Sequence, residues 1–367
     1  MQRTTPPFRA DHVGSLLRTL PLKQARAKHA AGEISAEELK HVEDDEIRKI
    51  IVKQEHAGLQ LVTDGEFRRS WWHFDFLSML DGVELVTGEK SIQFHGIQTK
   101  AESLNITGRV DFSEHPMVEH FRFLKDHTKV TPKMTIPSPS VLHFRMGRNA
   151  ISKDIYHNLE SFFADTAAAY RKAVKAFADA GCRYLQFDDT VWAYLCSEEQ
   201  CEQARQRGDD PEALPDIYAE MINHAIAERP SDMAITMHVC RGNFRSSWIS
   251  EGGYEPVADV MFNKLNIDGY FLEYDTDRAG GFEPLRFVPK GDKQIVLGLI
   301  TSKSGTLEKA EDVKYRIEEA MEFVDLNQLC LSPQCGFAST EEGNILTEDQ
   351  QWAKLKEIVE ISKEVWS

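Results

Sequence analysis

The chain has 367 residues, 41% of them hydrophobic, enough to bury a large core as one big domain or two ordinary ones. Its 43 basic and 59 acidic residues leave a net charge of −16, which argues against general binding to nucleic acid or to an anionic membrane, since either needs a basic face. No apolar run approaches the roughly 18 residues of a membrane span, and Met1–Pro7 lacks a signal peptide's apolar core, so the expectation is a cytoplasmic protein with a soluble partner or small substrate.

After an irregular, proline-containing start, Asp11-His-Val-Gly-Ser15 reads as a short strand closing on a turn. A helix is expected from about Ala36 to Ala57, because Ser35 with Glu38 three residues on forms a capping box and Gly58 stops it. Leu59–Glu66 follows as a second strand with polar groups at its C-terminal end. From Gly82 to Phe112, β-like stretches split by glycines suggest a hairpin insertion. Alternation is regular from there. Strands are expected at Val130–Ile136, Cys182–Asp189, Ala234–Val239, Gly269–Glu273, Gln294–Ile300 and Leu329–Leu331. Helices are expected at about Tyr156–Ala180, Pro215–Glu228, Glu255–Leu265, Leu307–Phe323 and Thr347–Val365.

Eight strand candidates thus interleave with helices, several of them continuous apolar runs such as strands buried on both faces show. An open doubly wound sheet shares this alternation, but no glycine-rich phosphate fingerprint follows any strand. The expected fold is a (β/α)8 TIM barrel, α/β in class, forming a single domain over 1–367 with a β-rich insertion at about 82–112 after the second strand.

Catalytic groups in such barrels come from the C-terminal ends of several strands. His238 and Cys240 end the fifth candidate, and residues two apart on a strand face one way. Glu273 ends the sixth and Cys335 follows the eighth. Imidazole, thiolate and carboxylate together suit zinc. Alone, His-x-Cys is as readily a core histidine beside a buried cysteine, Glu273 a surface acid and Cys335 a turn residue; together at successive strand ends they favour Zn2+. Six cysteines in a chain without an export signal are expected as thiols. Cys182 and Cys330, at strand starts, read as structural, as do Cys196 and Cys201 in a polar loop or helix.

These residues carry a resemblance. His238-Val-Cys240, Glu273 and Cys335-Gly336 resemble the zinc-binding set of the cobalamin-independent methionine synthase family, specifically its C-terminal catalytic barrel without the N-terminal half. Val13-Gly-Ser15 resembles the family's Ile-Gly-Ser near the first strand, Asp64-Gly-Glu66 its Gly-Glu after the second, and Gln186-Phe-Asp188 its Gln-Ile-Asp on the fourth. The resemblance spans nearly the whole chain. It implies that Val13, Gly14 and Ser15 hold an amino-acid carboxylate while Glu66 and Asp188 hold its amino group, and an ammonium does need carboxylate partners. Read by themselves, Asp188 and Asp189 are also suited to capping a helix, and Glu66 to a surface ion pair with Arg68 or Arg69. The implied reaction is methyl transfer to a small thiol, homocysteine in the family, giving methionine. Coordination to zinc stabilises the thiolate for in-line attack on the donor.

The likeness weakens at the donor. Where the family has Asp-Ile-His-Ser after the seventh strand, this chain has Leu299-Ile-Thr-Ser302, and Thr301 cannot serve as an acid near neutral pH. The family's folate-packing tryptophan has no counterpart in Pro137–Phe144. His12, His73 and His143 lie near strand ends as substitute acids or, more simply, as hydrogen-bonded core histidines. Trp71 and Trp72 read equally as a wall for a flat donor or as packing under the hairpin. The expectation is a zinc-dependent transferase related to 5-methyltetrahydropteroyltriglutamate-homocysteine S-methyltransferase, its donor methyltetrahydrofolate or a methylated corrinoid protein. Two alternatives are a zinc enzyme that adds a thiol to another electrophile such as an epoxide, and a non-catalytic zinc- or thiol-binding protein.

Overall fold

Residues 3–87, 93–94, 97–98 and 102–367 are described by a computed structural model. In chain order these residues form α1 (Leu20–Ala30), α2 (Ala36–His56), β1 (Leu61–Val62), α3 (Phe74–Leu77), β2 (Asp81–Thr87), β3 (Gln93–Phe94), β4 (Ile97–Gln98), β5 (Glu102–Asp111), α4 (Pro116–Asp126), β6 (Thr131–Pro132), β7 (Met134–Pro137), α5 (Pro139–Phe144) and α6 (Leu159–Asp179). Then come β8 (Tyr184–Asp189), α7 (Val191–Tyr194), α8 (Glu198–Gln206), α9 (Leu214–Ile226), β9 (Ala234–Val239), α10 (Glu255–Asn263), β10 (Gly269–Glu273), β11 (Gln294–Ile300), α11 (Ala310–Met321), β12 (Leu329–Pro333) and α12 (Glu348–Val365).

Six of these strands make one parallel sheet in the order β12-β11-β10-β9-β8-β7, and β1 pairs in parallel with β6. Only Lys133 separates β6 from β7, so both parallel groups share one stretch of chain. Every residue of β8, β10, β11 and β12 is buried, as expected of strands covered on both faces. The expected first strand at Asp11–Ser15 does not form. Ala10 alone makes a parallel bridge to Leu331; beyond it Asp11 N–H still donates to the Leu331 carbonyl at 3.0 Å, and side chains hold much of the rest: Thr63 Oγ1 donates to the Gly14 carbonyl at 2.6 Å, and Lys133 Nζ donates to the His12 carbonyl at 2.6 Å and to Asp11 Oδ1 at 3.1 Å. The reason is local: Gly14, with φ +143°, breaks an extended path, and the polar run Asp11-His12 bonds sideways. The α/β fold with a parallel sheet is therefore present, while the ladders of the described residues stop short of an eight-stranded ring.

The insertion contains an antiparallel pair, β2 with β5, running from Asp81↔Asp111 to Thr87↔Glu102. Part of the 82–112 expectation (88–92, 95–96 and 99–101) lies outside the described residues. The capping box is present, with Glu38 N–H donating to Ser35 Oγ at 3.2 Å and Ser35 N–H to Glu38 Oε2 at 2.8 Å. Two longer helices were not expected, α1 and α4, each with a proline in its first turn.

Candidate metal centre and adjoining pocket

The parallel strands end together, and their ends gather the residues singled out above. His238 lies in β9 with Cys240 just beyond it, Glu273 closes β10, and Cys335 follows β12. One ligand atom from each lies within 4.8 Å of the others, and all four side chains are buried. The Cys240 and Cys335 sulfurs are 3.5 Å apart. Two sulfurs about 2.3 Å from one tetrahedral ion would lie roughly 3.8 Å apart, close to what is found. Beyond its contact with the Cys335 sulfur, the buried His238 ring has no hydrogen-bond partner among the described residues, a costly state for an imidazole unless a ligand occupies it. The donor set thus fits zinc.

Charge in the cluster is shared rather than local. Cys240 is pushed well above the ordinary thiol range by its contact with Cys335 and by burial, while that same contact, with His238 and Lys303 nearby, holds Cys335 well below it. A bound cation would favour the thiolate form of both. Burial raises Glu273, whose carboxylate is oriented by the Arg241 N–H at 3.0 Å on Oε1 and by Gln334 Nε2 at 3.4 Å on Oε2.

Beside the cluster lies a pocket lined by Val13, Ser15, Glu66, Trp72, Asp188 and the candidate ligands His238, Cys240 and Cys335, among others. Its floor depends on close backbone approach. A Cβ on Gly336 would come within 2.0 Å of Ser15 Oγ, and one on Gly14 within 2.7 Å of Glu66 Oε1. Glu66 itself has φ +58°, a left-handed conformation that costs a non-glycine residue on the order of 1–2 kcal/mol. It is held there by Arg18, fully buried, which donates to the carbonyls of Leu16, Glu66, Arg69 and Ala338 at 2.7–3.2 Å. One guanidinium thus ties the segments bearing Ser15, Glu66 and Cys335.

Glu66 accepts from Thr135 Oγ1 at 2.5 Å and pairs with Arg69. Burial, opposed by Arg69 and reinforced by Asp188, pushes it up to about 7. Burial also raises Asp188, which accepts from Gln186 Nε2 at 2.7 Å. Asp189, not Asp188, is the helix cap: it takes the Val191 and Trp192 N–H groups.

The open alternatives divide. Trp71 packs into the core and stacks on Phe244 at 5.9 Å, whereas Trp72 lines the pocket with Arg145 over its ring at 5.7 Å. His12 is bonded to Gln54 at 3.0 Å and His143 to Tyr218 at 2.7 Å, as core histidines; His73 is fully buried against Trp72 and Phe74 with neither nitrogen paired among the described residues. Thr301 accepts the Lys303 N–H at 3.3 Å. Sequence reading passed over Arg145, Asn243, Lys303 and Gln334, and weighed Arg69 only as a surface partner of Glu66. Only the buried setting of these residues, set by distant chain, gives them a role.

A parallel α/β scaffold with a buried imidazole, carboxylate and two thiols at its strand ends defines a class of protein with a site suited to a soft divalent metal beside a small polar pocket. Residues 8–364 match the family model described as the catalytic domain of cobalamin-independent synthase. The chain is 58% identical over 368 residues to YxjG of Bacillus subtilis (strain 168), an uncharacterized protein, covering 100% of this chain and 97% of that one. A solved structure from Listeria monocytogenes, assigned provisionally as a vitamin-B12-independent methionine synthase, is 48% identical with a TM-score of 0.82 and full coverage of both chains. The B12-independent methionine synthase of Shewanella sp. W3-18-1, solved with selenomethionine, shares the fold at 22% identity and a TM-score of 0.74, covering 98% of this chain and 97% of that one. The chain belongs to the cobalamin-independent methionine synthase family, through its catalytic domain. That family transfers a methyl group to homocysteine.

Proposed function

We propose that this chain is a cytoplasmic, zinc-dependent S-methyltransferase that makes methionine from homocysteine. In this reading it is one (β/α)8 barrel domain, with the segment around Ala10 completing the ring. The observation that carries it is the adjacency of the four-donor cluster to a pocket presenting a serine and two carboxylates. His238, Cys240, Glu273 and Cys335 would hold the metal. A zinc ion bound there supplies the acceptor sulfur as a thiolate at neutral pH.

The protein's own groups do the rest. Ser15 and the backbone of Val13 and Gly14 receive the amino-acid carboxylate. Glu66 and Asp188 take the ammonium, and as the catalytic pair they fix the sulfur's direction of approach, which is where most of the rate comes from in a displacement between two positioned partners. Trp72 and Arg145 face the donor side, where methyltetrahydrofolate or a methylated corrinoid protein would deliver the methyl group.

X-ray absorption at the zinc edge, with and without homocysteine, tests this. The expected result is one zinc per chain and an added sulfur neighbour with homocysteine; no zinc, or full activity in Cys240→Ser and Cys335→Ser, would refute it. A second reading, addition of the thiol to an epoxide-like electrophile, is favoured by Thr301, which offers no acid to a departing amine. A donor screen at fixed thiol separates the two.

A further inference from the structure

Behind the metal cluster, the chain leaving β11 reaches Glu273 by hydrogen bonds. Gln334, 1% exposed, accepts from both Ser302 N–H (2.9 Å) and Ser302 Oγ (2.8 Å) through Oε1, which fixes its amide so that Nε2 points at Glu273 Oε2. The loop is anchored by Asn344 Nδ2, which donates to the Ser302 carbonyl at 2.7 Å.

We propose that Gln334 is the positioning residue that keeps Glu273 turned toward the cluster. Gln334 acts through Glu273 and touches no substrate. The inference rests on the zinc reading above and assigns a residue that this reading does not use.

Two variants test it. In Gln334→Leu, chelator competition should show zinc affinity lower by about 10- to 100-fold, as when an outer partner of a metal ligand is removed. Ser302→Ala, which keeps the backbone donor and so the fold, should give a smaller loss in the same direction. Unchanged zinc affinity in both variants overturns the assignment, while wild-type zinc and thiol binding leave the functional reading intact. A wild-type protein that binds zinc but no thiol overturns that reading, with Gln334 still judged by its zinc affinity.

Discussion

At Glu66, burial and charge pull against each other, and the balance sets a pH dependence. Its carboxyl is pushed from the usual range up to about 7 by burial, less what Arg69 returns. The folded chain therefore keeps a proton that the unfolded chain has already released, so this group's contribution to stability is full at acid pH and is lost as pH rises toward about 7. Ligand binding runs the other way, because an ammonium needs the ionised form. Methionine, whose sulfur carries no proton, should bind about tenfold more tightly near pH 8 than near pH 6, and Glu66→Gln should abolish the difference, as read by calorimetry at the two pH values. The four clustered residues could be read together from sequence for a simple reason: each lies at or just past the end of an apolar strand, and strand ends in a parallel sheet converge. Arg69, Lys303 and Gln334 carry no such mark. Gln334 is one residue from Cys335, yet its meaning depends on Ser302 and Glu273, which reach it only through the fold.

The start of α2 was legible in a pair of side chains, whereas those of α1 and α4, each with a proline in the first turn, were not. The Ser35–Glu38 box marks α2 unambiguously because both bonds are local. Ser35→Ala should lower stability by about 1 kcal/mol, seen as a shifted urea midpoint with unchanged zinc content, since the cap is exposed and remote from the pocket. Pro21 and Pro116 stand in the first turns of α1 and α4, where a missing N–H costs nothing. The sequence reading gave neither proline a role, and both helices were missed. The loops after β9 and β12 show another element-scale effect. Asn243 Nδ2 donates to the Gly336 carbonyl at 2.8 Å, and Ser246 N–H to Asn344 Oδ1 at 3.1 Å, so the segment carrying Cys240 is latched to the one carrying Cys335. Asn243→Ala should loosen that latch and weaken zinc binding, by chelator competition, by several-fold while leaving the core strands intact.

At the four-donor cluster the molecule joins segments far apart in sequence, since its side chains run from 238 to 335 and Arg18 adds the N-terminal segment. The alternation of strands and helices made a parallel α/β protein legible, but not how its ends meet: the stretch 11–15 looked like a strand and instead bonds through Asp11, Gly14 and Lys133. A metal that bridges β9, β10 and the chain after β12 binds only the assembled fold, so its binding energy adds to global stability. With free zinc at about 100 times the dissociation constant, the gain is about 2.7 kcal/mol. Spread over the unfolding entropy of a chain this long, roughly 2 cal/mol/K per residue, that raises the melting temperature by about 3–4 °C. Thermal scans should therefore show a chelator-reversible rise of that size in the wild type and none in Cys240→Ser. An equal rise in the variant would mean that zinc stabilises the chain from somewhere other than these four residues.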